Sequence, residues 1–206
     1  MLRLTEIKLP LDHPEGDLRA ALLARLGIAD ADLLDFSVYK RSYDARQKKQ
    51  IQLIYTVDVT LRDGIEAAVS QRRIAHVAPS PDMTYRFVTQ APASLKSRPL
   101  IIGFGPCGLF AALILAQMGF RPIVLERGKA VRERTKDTWG LWRNQVLNPE
   151  SNVQFGEGGA GTFSDGKLYS QIKDPHHYGR KVLQEFVAAG APEEILYVSK
   201  PHIGTF

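Results

Sequence analysis

The feature that most constrains this chain is a glycine-rich turn between an apolar strand and an apolar helix. The strand covers residues 99–102, the turn has the pattern Gly103-x-Gly105-x-x-Gly108, and the helix continues through residues 109–116. In such a turn the first glycine permits a tight bend, the second lets a phosphate approach the backbone, and the third allows close helix–strand contact. The helix N-terminus then presents free N–H groups and the positive end of its dipole to a phosphate. The segment therefore predicts a nucleotide-binding β-α-β unit.

A second strand and an acidic residue complete this pattern. Residues 122–125 predict a strand that ends at Glu126, whose carboxylate can accept hydrogen bonds from both hydroxyl groups of an adenosine ribose. Together these features indicate a dinucleotide that contains ADP. They do not distinguish FAD from NAD, because both cofactors present the same ribose. Arg127 comes next and is either a ligand for the 2′-phosphate of NADP or a surface residue.

A second glycine-rich stretch, residues 152–168, favours FAD. Its glycines make a poor core and a poor helix, but they suit a loop whose backbone amides lie against a flat ring or a phosphate. A flavin needs N–H donors near its N5 and carbonyl oxygens, with no side chain between the ring and the substrate. The competing interpretation is a plain flexible loop. The apolar side chains of Phe155, Phe163 and Leu168 argue against it, since they predict packing.

Three segments together resemble the FAD-dependent dehydrogenases of the glutathione-reductase-like flavoprotein superfamily, and most closely an uncharacterised bacterial group of NAD(P)/FAD-dependent oxidoreductases. The three segments are the glycine turn 103–108, Glu126-Arg127-Gly128 with Val131 and Arg134, and residues 156–168. The group also carries a small N-terminal domain with a Lys-Arg/Lys-Ser-x-Asp-Ala-Arg segment, which is present here as residues 40–46. The resemblance covers the chain up to Thr205.

The resemblance implies an FAD-dependent oxidoreductase, a dehydrogenase in which hydride or electrons pass through N5 of the flavin. NAD(P)H is a candidate electron donor, and the substrate is a small molecule that the sequence does not identify. The first glycine turn and Glu126 would hold the pyrophosphate and ribose, and residues 158–166 would line the pyrophosphate and the isoalloxazine. The predicted cofactor-binding residues are Gly103, Gly105, Pro106, Cys107, Gly108, Glu126, Arg127, Gly158, Gly159, Ala160, Gly161, Thr162, Asp165, Gly166 and Lys167. No catalytic acid or base and no metal-binding spacing can be identified.

The predicted fold class is α/β, with an N-terminal ferredoxin-like α+β domain followed by an incomplete Rossmann-type FAD-binding domain. Residues 1–91 alternate short strands and helices in the order β-α-β-β-α-β, which is typical of a ferredoxin-like fold. The clearest strand is 51–61, where apolar and polar residues alternate. The last strand of this domain is predicted at residues 83–88. Residues 92–98 are the predicted linker, and residues 99–206 are the predicted nucleotide-binding domain.

The second domain is predicted to be incomplete. It offers two clear parallel strands, whereas an open parallel sheet needs further strands to cover its edges. The flavoproteins that it resembles continue with more strands, a substrate domain and a segment that closes over the flavin. We therefore expect the cofactor site to be completed by a C-terminal part that this chain lacks, and the chain alone to bind FAD weakly or not at all.

The net charge of the chain limits the partners that the sequence predicts. Lys and Arg number 27 against 22 Asp and Glu, and the resulting net charge of +5 is too small to indicate a nucleic-acid-binding arm. A basic cluster (Lys40, Arg41, Arg46, Lys48 and Lys49) could grip phosphates, but a solvated hairpin tip explains it better. Nucleic acid is therefore not an expected partner. One alternative function is a non-catalytic RNA- or protein-binding module with a vestigial nucleotide fold, and another is an oxidoreductase part that binds NAD(P).

The expected location is the cytoplasm. No apolar stretch approaches the roughly 20 residues that a membrane span needs, and the first residues do not have the pattern of a secretory signal. Cys107 is the only cysteine, so no disulfide can form within the chain, which fits a reducing compartment. No membrane partner is therefore predicted.

Two further helices are predicted after the second parallel strand. The first covers residues 130–145 and carries Trp139 and Trp142, three residues apart, on a face that we expect to pack on the core. The second begins at Asp174 and is expected to hold His176 and His177 in its exposed first turn.

Overall fold

The computed structural model describes residues 1–47, 49–170 and 172–204. Its contacts divide the chain into two compact units: the first comprises Met1–Thr84 with Leu168–Pro201, and the second comprises Tyr85–Lys167 with the described residues from His202 onward. The sequence places residues 168–201 in the second domain, whereas the contacts group them with the N-terminal part. The protein is a mixed α/β structure with one antiparallel and one parallel sheet.

The helices and strands of the described residues follow one another along the chain. They are β1 (Leu2–Pro10), α1 (Glu15–Leu26), β2 (Leu33–Asp44), β3 (Gln52–Leu61), α2 (Ile65–Gln71), β4 (Val77–Pro79), β5 (Leu100–Ile102), α3 (Pro106–Gln117), β6 (Ile123–Leu125), α4 (Val131–Asn144) and α5 (Tyr178–Ala188). None of these helices is long and apolar enough to cross a membrane.

The first unit is built on a four-stranded antiparallel sheet in the order β2-β3-β1-β4. Its first six elements have the β-α-β-β-α-β order that the sequence predicts. The alternating side chains of β3 point Val57 and Val59 into a core that also contains Leu4 and Leu22, all four of them fully buried. Helix α1 ends at Gly27, which adopts a left-handed conformation and donates its N–H to Leu23.

The last strand of this sheet lies elsewhere than predicted. No strand is assigned to residues 83–88, and β4 is instead Val77–Pro79, which pairs with Leu2–Leu4 of β1. The pairing ends where Ser80 donates its N–H to the carbonyl of Met1 at 3.1 Å. A three-residue edge strand that ends in proline is too short to show a two-residue period. The sequence pattern therefore gave the wrong segment.

The second unit contains the parallel pair β5 and β6, joined through α3. Leu100 pairs with Ile123, and Ile102 pairs with Leu125. These apolar strands remain accessible, and Ile102 is 75 % exposed. Helix α3 is apolar along its whole length, yet none of its side chains is fully buried. The second unit therefore leaves apolar side chains of these elements accessible, whereas comparable side chains of the first unit are buried in its own core.

Helix α5 begins later than the sequence predicts. The carboxylate of Asp174 accepts N–H bonds from Tyr178 at 3.0 Å and from Gly179 at 2.7 Å. Asp174 therefore caps the helix from a turn outside it. His177 has a left-handed backbone with φ of +55° and precedes the helix. The prediction that His176 and His177 lie in the first helical turn is wrong, because the cap residue stands four positions before the helix.

Candidate functional site

The candidate site is the glycine turn between β5 and α3, where strand, turn, helix and second strand occur in the predicted order. Gly103 adopts a φ of +93° and donates its N–H to the carbonyl of Leu125 on β6 at 2.7 Å. A Cβ at position 108 would overlap the carbonyl oxygen of Gly103. Helix α3 thus approaches the end of β5 to a distance that only glycine permits at this position.

The first turn of α3 leaves backbone donors available. Gly105 is the N-cap and Pro106 is the first helical residue, where a missing N–H costs no hydrogen bond. The N–H groups of Cys107 and Gly108 have no carbonyl acceptor within the helix, because the chain one turn earlier is not helical. Cys107 is exposed. This end of the helix is chemically suited to an anionic group.

Glu126 follows β6, and its carboxylate lies against the glycine turn. Oε2 accepts the N–H of Phe104 at 2.7 Å, and Oε1 accepts the N–H of Gly128 at 2.7 Å. These backbone donors, that of Gly128 first, hold the pKa of Glu126 below its ordinary value. A carboxylate offers about four acceptor positions, so Glu126 can also accept a hydroxyl group of a ligand.

Arg127, the candidate ligand for a 2′-phosphate, is engaged elsewhere. Its Nε and Nη2 both donate to the carboxylate of Glu150, and this ion pair raises the pKa of Arg127. Both side chains are exposed. A phosphate would have to compete with Glu150 for the same guanidinium face.

The second glycine-rich stretch packs directly on the first. Gly158 donates its N–H to the carbonyl of Phe104 at 2.8 Å. A Cβ at Gly159, whose φ is +63°, would lie 3.0 Å from Cδ of Pro106 and 3.3 Å from Cα of Gly105. The structure therefore brings the two predicted glycine segments together, with backbone atoms at their contact.

Arg134 holds the second glycine stretch in place. Its side chain is fully buried, and its guanidinium donates to backbone carbonyls in the first half of the stretch, residues 152–159. The acceptors are the carbonyls of Asn152 at 2.8 Å, Val153 at 2.8 Å, Glu157 at 2.5 Å and Gly159 at 2.7 Å, with Thr162 Oγ1 at 3.3 Å. The guanidinium also lies 4.8 Å from the ring centre of Phe163. Burial lowers the pKa of Arg134.

The role of Arg134 was missed by sequence reasoning, which noted the residue only as part of a resemblance. Its partners are main-chain carbonyls, which no residue type marks in a sequence. A detectable signal was the composition of the stretch itself, because a glycine-rich loop exposes many carbonyls that need a donor. An arginine on the neighbouring helix is the obvious candidate.

The polar inner face of α4 also explains where its tryptophans lie. Arg134 and Thr138, four residues apart, form the buried side of the helix. Trp139 and Trp142 are 44 % and 50 % exposed, so the prediction that they pack on the core is wrong. The ring centres of the two tryptophans lie 5.5 Å apart, and the ring centre of Trp142 lies 6.2 Å from that of Phe163.

Glu157 connects the glycine stretch to the start of α4. Its carboxylate accepts the N–H of Val131 at 2.8 Å, and its own N–H donates to the carbonyl of Lys129 at 3.1 Å. A carboxylate at this position satisfies a free N–H of the first helical turn. The loop and the helix therefore fix each other at two points, Glu157 and Arg134.

The remaining predicted residues follow along the stretch. Ala160, Gly161 and Thr162 lie in the 3₁₀ segment Gly159–Phe163, and the space where Gly161 would carry a Cβ is open. The carbonyl of Asp165 accepts the N–H of Gly204 at 3.2 Å, and the carbonyl of Gly166 accepts the N–H of Ile203 at 3.1 Å. Lys167 pairs with His202 in a short antiparallel bridge. In the described part of the chain, no group of three or more His, Cys, Asp or Glu side chains is arranged to hold a metal ion.

Comparison with known proteins gives two matches. Residues 1–60 match a family model described as a domain of unknown function, DUF8436. A protein of Clostridium beijerinckii, described as an uncharacterised protein, is 41 % identical over 204 residues. The match covers 99 % of this chain and 38 % of that protein, so the chain spans less than two fifths of the length of the relative that it matches.

Proposed function

We propose that this chain forms the ADP-binding part of an FAD-dependent oxidoreductase of the glutathione-reductase-like flavoprotein superfamily. The Rossmann-type assignment of the second unit is part of this proposal. The observation that carries it is the position of the Glu126 carboxylate, 2.7 Å from the N–H of Phe104 in the glycine turn. An ADP group has the complementary chemistry, because its ribose hydroxyls suit the carboxylate and its pyrophosphate suits the N–H groups of α3.

The second glycine stretch supports FAD as the cofactor. Its contact with the first glycine turn involves the backbone of Phe104 and Gly105 and the ring of Pro106, so a loop of small residues lies beside the proposed pyrophosphate site. In the proposed complex, Glu126 accepts the ribose hydroxyls, the first turn of α3 donates to the pyrophosphate, and residues 158–162 line the cofactor. When bound, FAD supplies hydride or electron transfer through N5 of its isoalloxazine.

The alternatives have less support. The ion pair between Arg127 and Glu150 weighs against NADP, because it engages the cation nearest to Glu126 in sequence. For an RNA-binding module, the basic cluster is partly neutralised, since Arg46 binds Asp44 through two hydrogen bonds and lowers the pKa of Asp44 to about 2. Lys48 of that cluster lies outside the described residues.

The test is an equilibrium titration of the 206-residue chain with ADP, FAD, NAD⁺ and NADPH, read by calorimetry and, for FAD, by flavin absorbance. We expect saturable binding of ADP, whereas FAD should bind weakly or not at all. Glu126→Gln removes the charge that accepts the ribose hydroxyls and should weaken ADP binding by about tenfold or more. Glu150→Gln is the matched control, because it removes a nearby carboxylate that faces Arg127 instead, and it should leave ADP affinity unchanged.

A second pair of variants tests the turn rather than the acid. Gly108→Ala introduces a Cβ that overlaps Gly103, whereas Gly16→Ala, in helix α1 of the first unit, meets open space. The first should abolish ADP binding and the second should preserve it. The proposal is wrong if a folded chain, verified by circular dichroism, binds neither ADP nor FAD, or if Glu126→Gln and Glu150→Gln behave alike.

A further inference from the structure

A cavity of about 320 Å³ lies within the first unit, between β2, α5 and residues 195–201. This volume falls in the lower part of the range of small-molecule sites, about 300–1,000 Å³. The rings of Tyr39 and Tyr197 form part of its wall. The apolar part of the lining consists of Leu168, Leu183, Ile195, Leu196, Val198 and Pro201. Most of this surface suits a carbon-rich ligand.

Arg180, which is half-buried, also lines the cavity. Its Nη1 donates to the carbonyl of Leu196, and the centre of its guanidinium lies 5.8 Å from the centre of the Tyr39 ring. An arginine carries five N–H donors, and the residues that the structure describes accept one of them and supply no ion pair. Burial lowers the pKa of Arg180, so its surroundings disfavour the charge.

The carboxylates nearest to this region serve other groups. Asp58 binds Arg3 through two hydrogen bonds of 2.7 Å and also accepts one from Ser80 at 2.8 Å. Asp174 lines the cavity, but its two oxygens cap the backbone of α5. Lys40, a further cation, also lines the cavity. A partly buried cation without a counter-ion is unfavourable, and a ligand anion would remove that cost.

We propose that this cavity binds a small amphipathic carboxylate, with its carboxylate on Arg180 and a planar apolar body between the aromatic and aliphatic walls. A guanidinium matches a carboxylate with two parallel hydrogen bonds. An inorganic anion would neutralise the charge of Arg180 but leave the apolar lining exposed to water. A neutral aromatic molecule would cover the apolar lining but leave the charge of Arg180 without a counter-ion. The inference concerns only the first unit and does not depend on the proposed function.

The test compares ligands that differ in one property. Benzoate is titrated beside benzamide, which has nearly the same shape without the charge, and beside acetate, which has the charge without the ring. Binding is followed by calorimetry and by the NMR signal of the Arg180 side-chain Nε–H. We expect benzoate to bind at least about tenfold more tightly than either control, and its addition to shift the Arg180 signal.

Variants then test whether benzoate binding depends on Arg180. Arg180→Met should reduce benzoate binding to the level of benzamide, while benzamide binding itself stays, which shows that the cavity is intact. Arg62→Met is the control, because Arg62 belongs to the same unit and pairs with Asp32 outside the cavity. The proposal is overturned if benzoate does not bind saturably, if benzamide or acetate matches it, or if Arg180→Met binds benzoate as the unchanged protein does.

Discussion

Different kinds of interaction stabilise the interior of each of the two units. The first has a continuous apolar core, in which Leu4, Leu22 and Val57 are fully buried beneath the four-stranded sheet. In the described part of the second unit, Met118 is the one large apolar residue that is buried, and the largest fully buried side chain is Arg134. Hydrophobic burial stabilises the first unit, whereas the candidate site depends on hydrogen bonds to main-chain carbonyls.

The difference shows that apolar composition alone does not make a core. Helix α3 and strands β5 and β6 are as apolar as the elements of the first unit, yet Ile102 and Leu125 remain more than half exposed. A parallel sheet is normally covered on both faces, and two strands with one connecting helix cannot cover their own surfaces. The expectation that further strands complete this sheet stays a prediction.

The largest expected effect comes from truncating a core residue of the first unit. Leu22→Ala removes a fully buried side chain and leaves a cavity, so we expect the free energy of unfolding of that unit to fall by about 2–5 kcal/mol. Urea denaturation followed by circular dichroism measures the change. The matched variant in the second unit is Ile102→Ala, which alters an exposed side chain and should change stability by less than about 0.5 kcal/mol. Equal losses for the two variants would contradict the contrast between the units.

The next effect concerns the polar centre of the second unit. Arg134→Met keeps much of the volume but deprives the carbonyls of Asn152, Val153 and Gly159 of their donor. Hydrogen bonds to a charged group contribute about 1.5–3 kcal/mol each, and they are not additive here, so we expect a loss of roughly 3 kcal/mol or more. Hydrogen exchange at the N–H of Gly158 should report the loosened loop directly.

Two control variants separate the geometry of Arg134 from its charge. Arg134→Lys keeps the charge but cannot span the same carbonyls, so it should resemble Arg134→Met more than the unchanged protein. Arg132→Met removes an exposed cation from the same helix and should leave exchange at Gly158 unaltered. If Arg132→Met accelerates that exchange as much as Arg134→Met, the buried network does not hold the loop.

The parts of the fold that the sequence predicted are those that carry their own periodic pattern. The alternation along β3 and the glycine turn before α3 are local signals, and the structure has both elements. Strand β2 runs from Leu33 to Asp44. Only residues 36–39 have the composition of a strand in the sequence, because the second half of β2 is polar. That half is an edge, and residue 41 forms backbone bonds with residues 197 and 199, a contact that no local pattern could reveal.

The candidate site was predictable to the same extent and for the same reason. Glycine spacing and the acid at position 126 are local, and the structure brings them together. The docking of Gly158 on Phe104 and the bonds of Arg134 join segments distant in sequence through main-chain atoms. Residue types do not encode such contacts, so only the packed chain shows that Arg134 organises the loop.

The smallest effect concerns a buried polar contact of the first unit, the hydrogen bond from Ser80 to Asp58. Burial alone would raise the pKa of Asp58, but the hydrogen bonds from Arg3 and Ser80 lower it below its ordinary value. Ser80→Ala removes one of these bonds and should cost about 1 kcal/mol at neutral pH. Because the folded-state pKa is depressed, this contribution is present above the ordinary pKa of about 4 and is lost as the pH falls through the folded-state pKa.

Urea denaturation of Ser80→Ala and of the unchanged protein, at pH 7 and at successively lower pH, measures the difference in their free energies of unfolding. We expect this difference to shrink as the pH falls. Ser70→Ala is the matched control, because Ser70 Oγ donates at the same 2.8 Å distance to the backbone carbonyl of Glu66, which does not titrate. Its effect should be independent of pH. A difference for Ser80→Ala that persists undiminished at the lowest pH would mean that the bond does not depend on the charge of Asp58. The stability of the first unit would then not depend on the charge at this position. That result would strengthen the contrast between its apolar core and the hydrogen-bonded centre of the second unit.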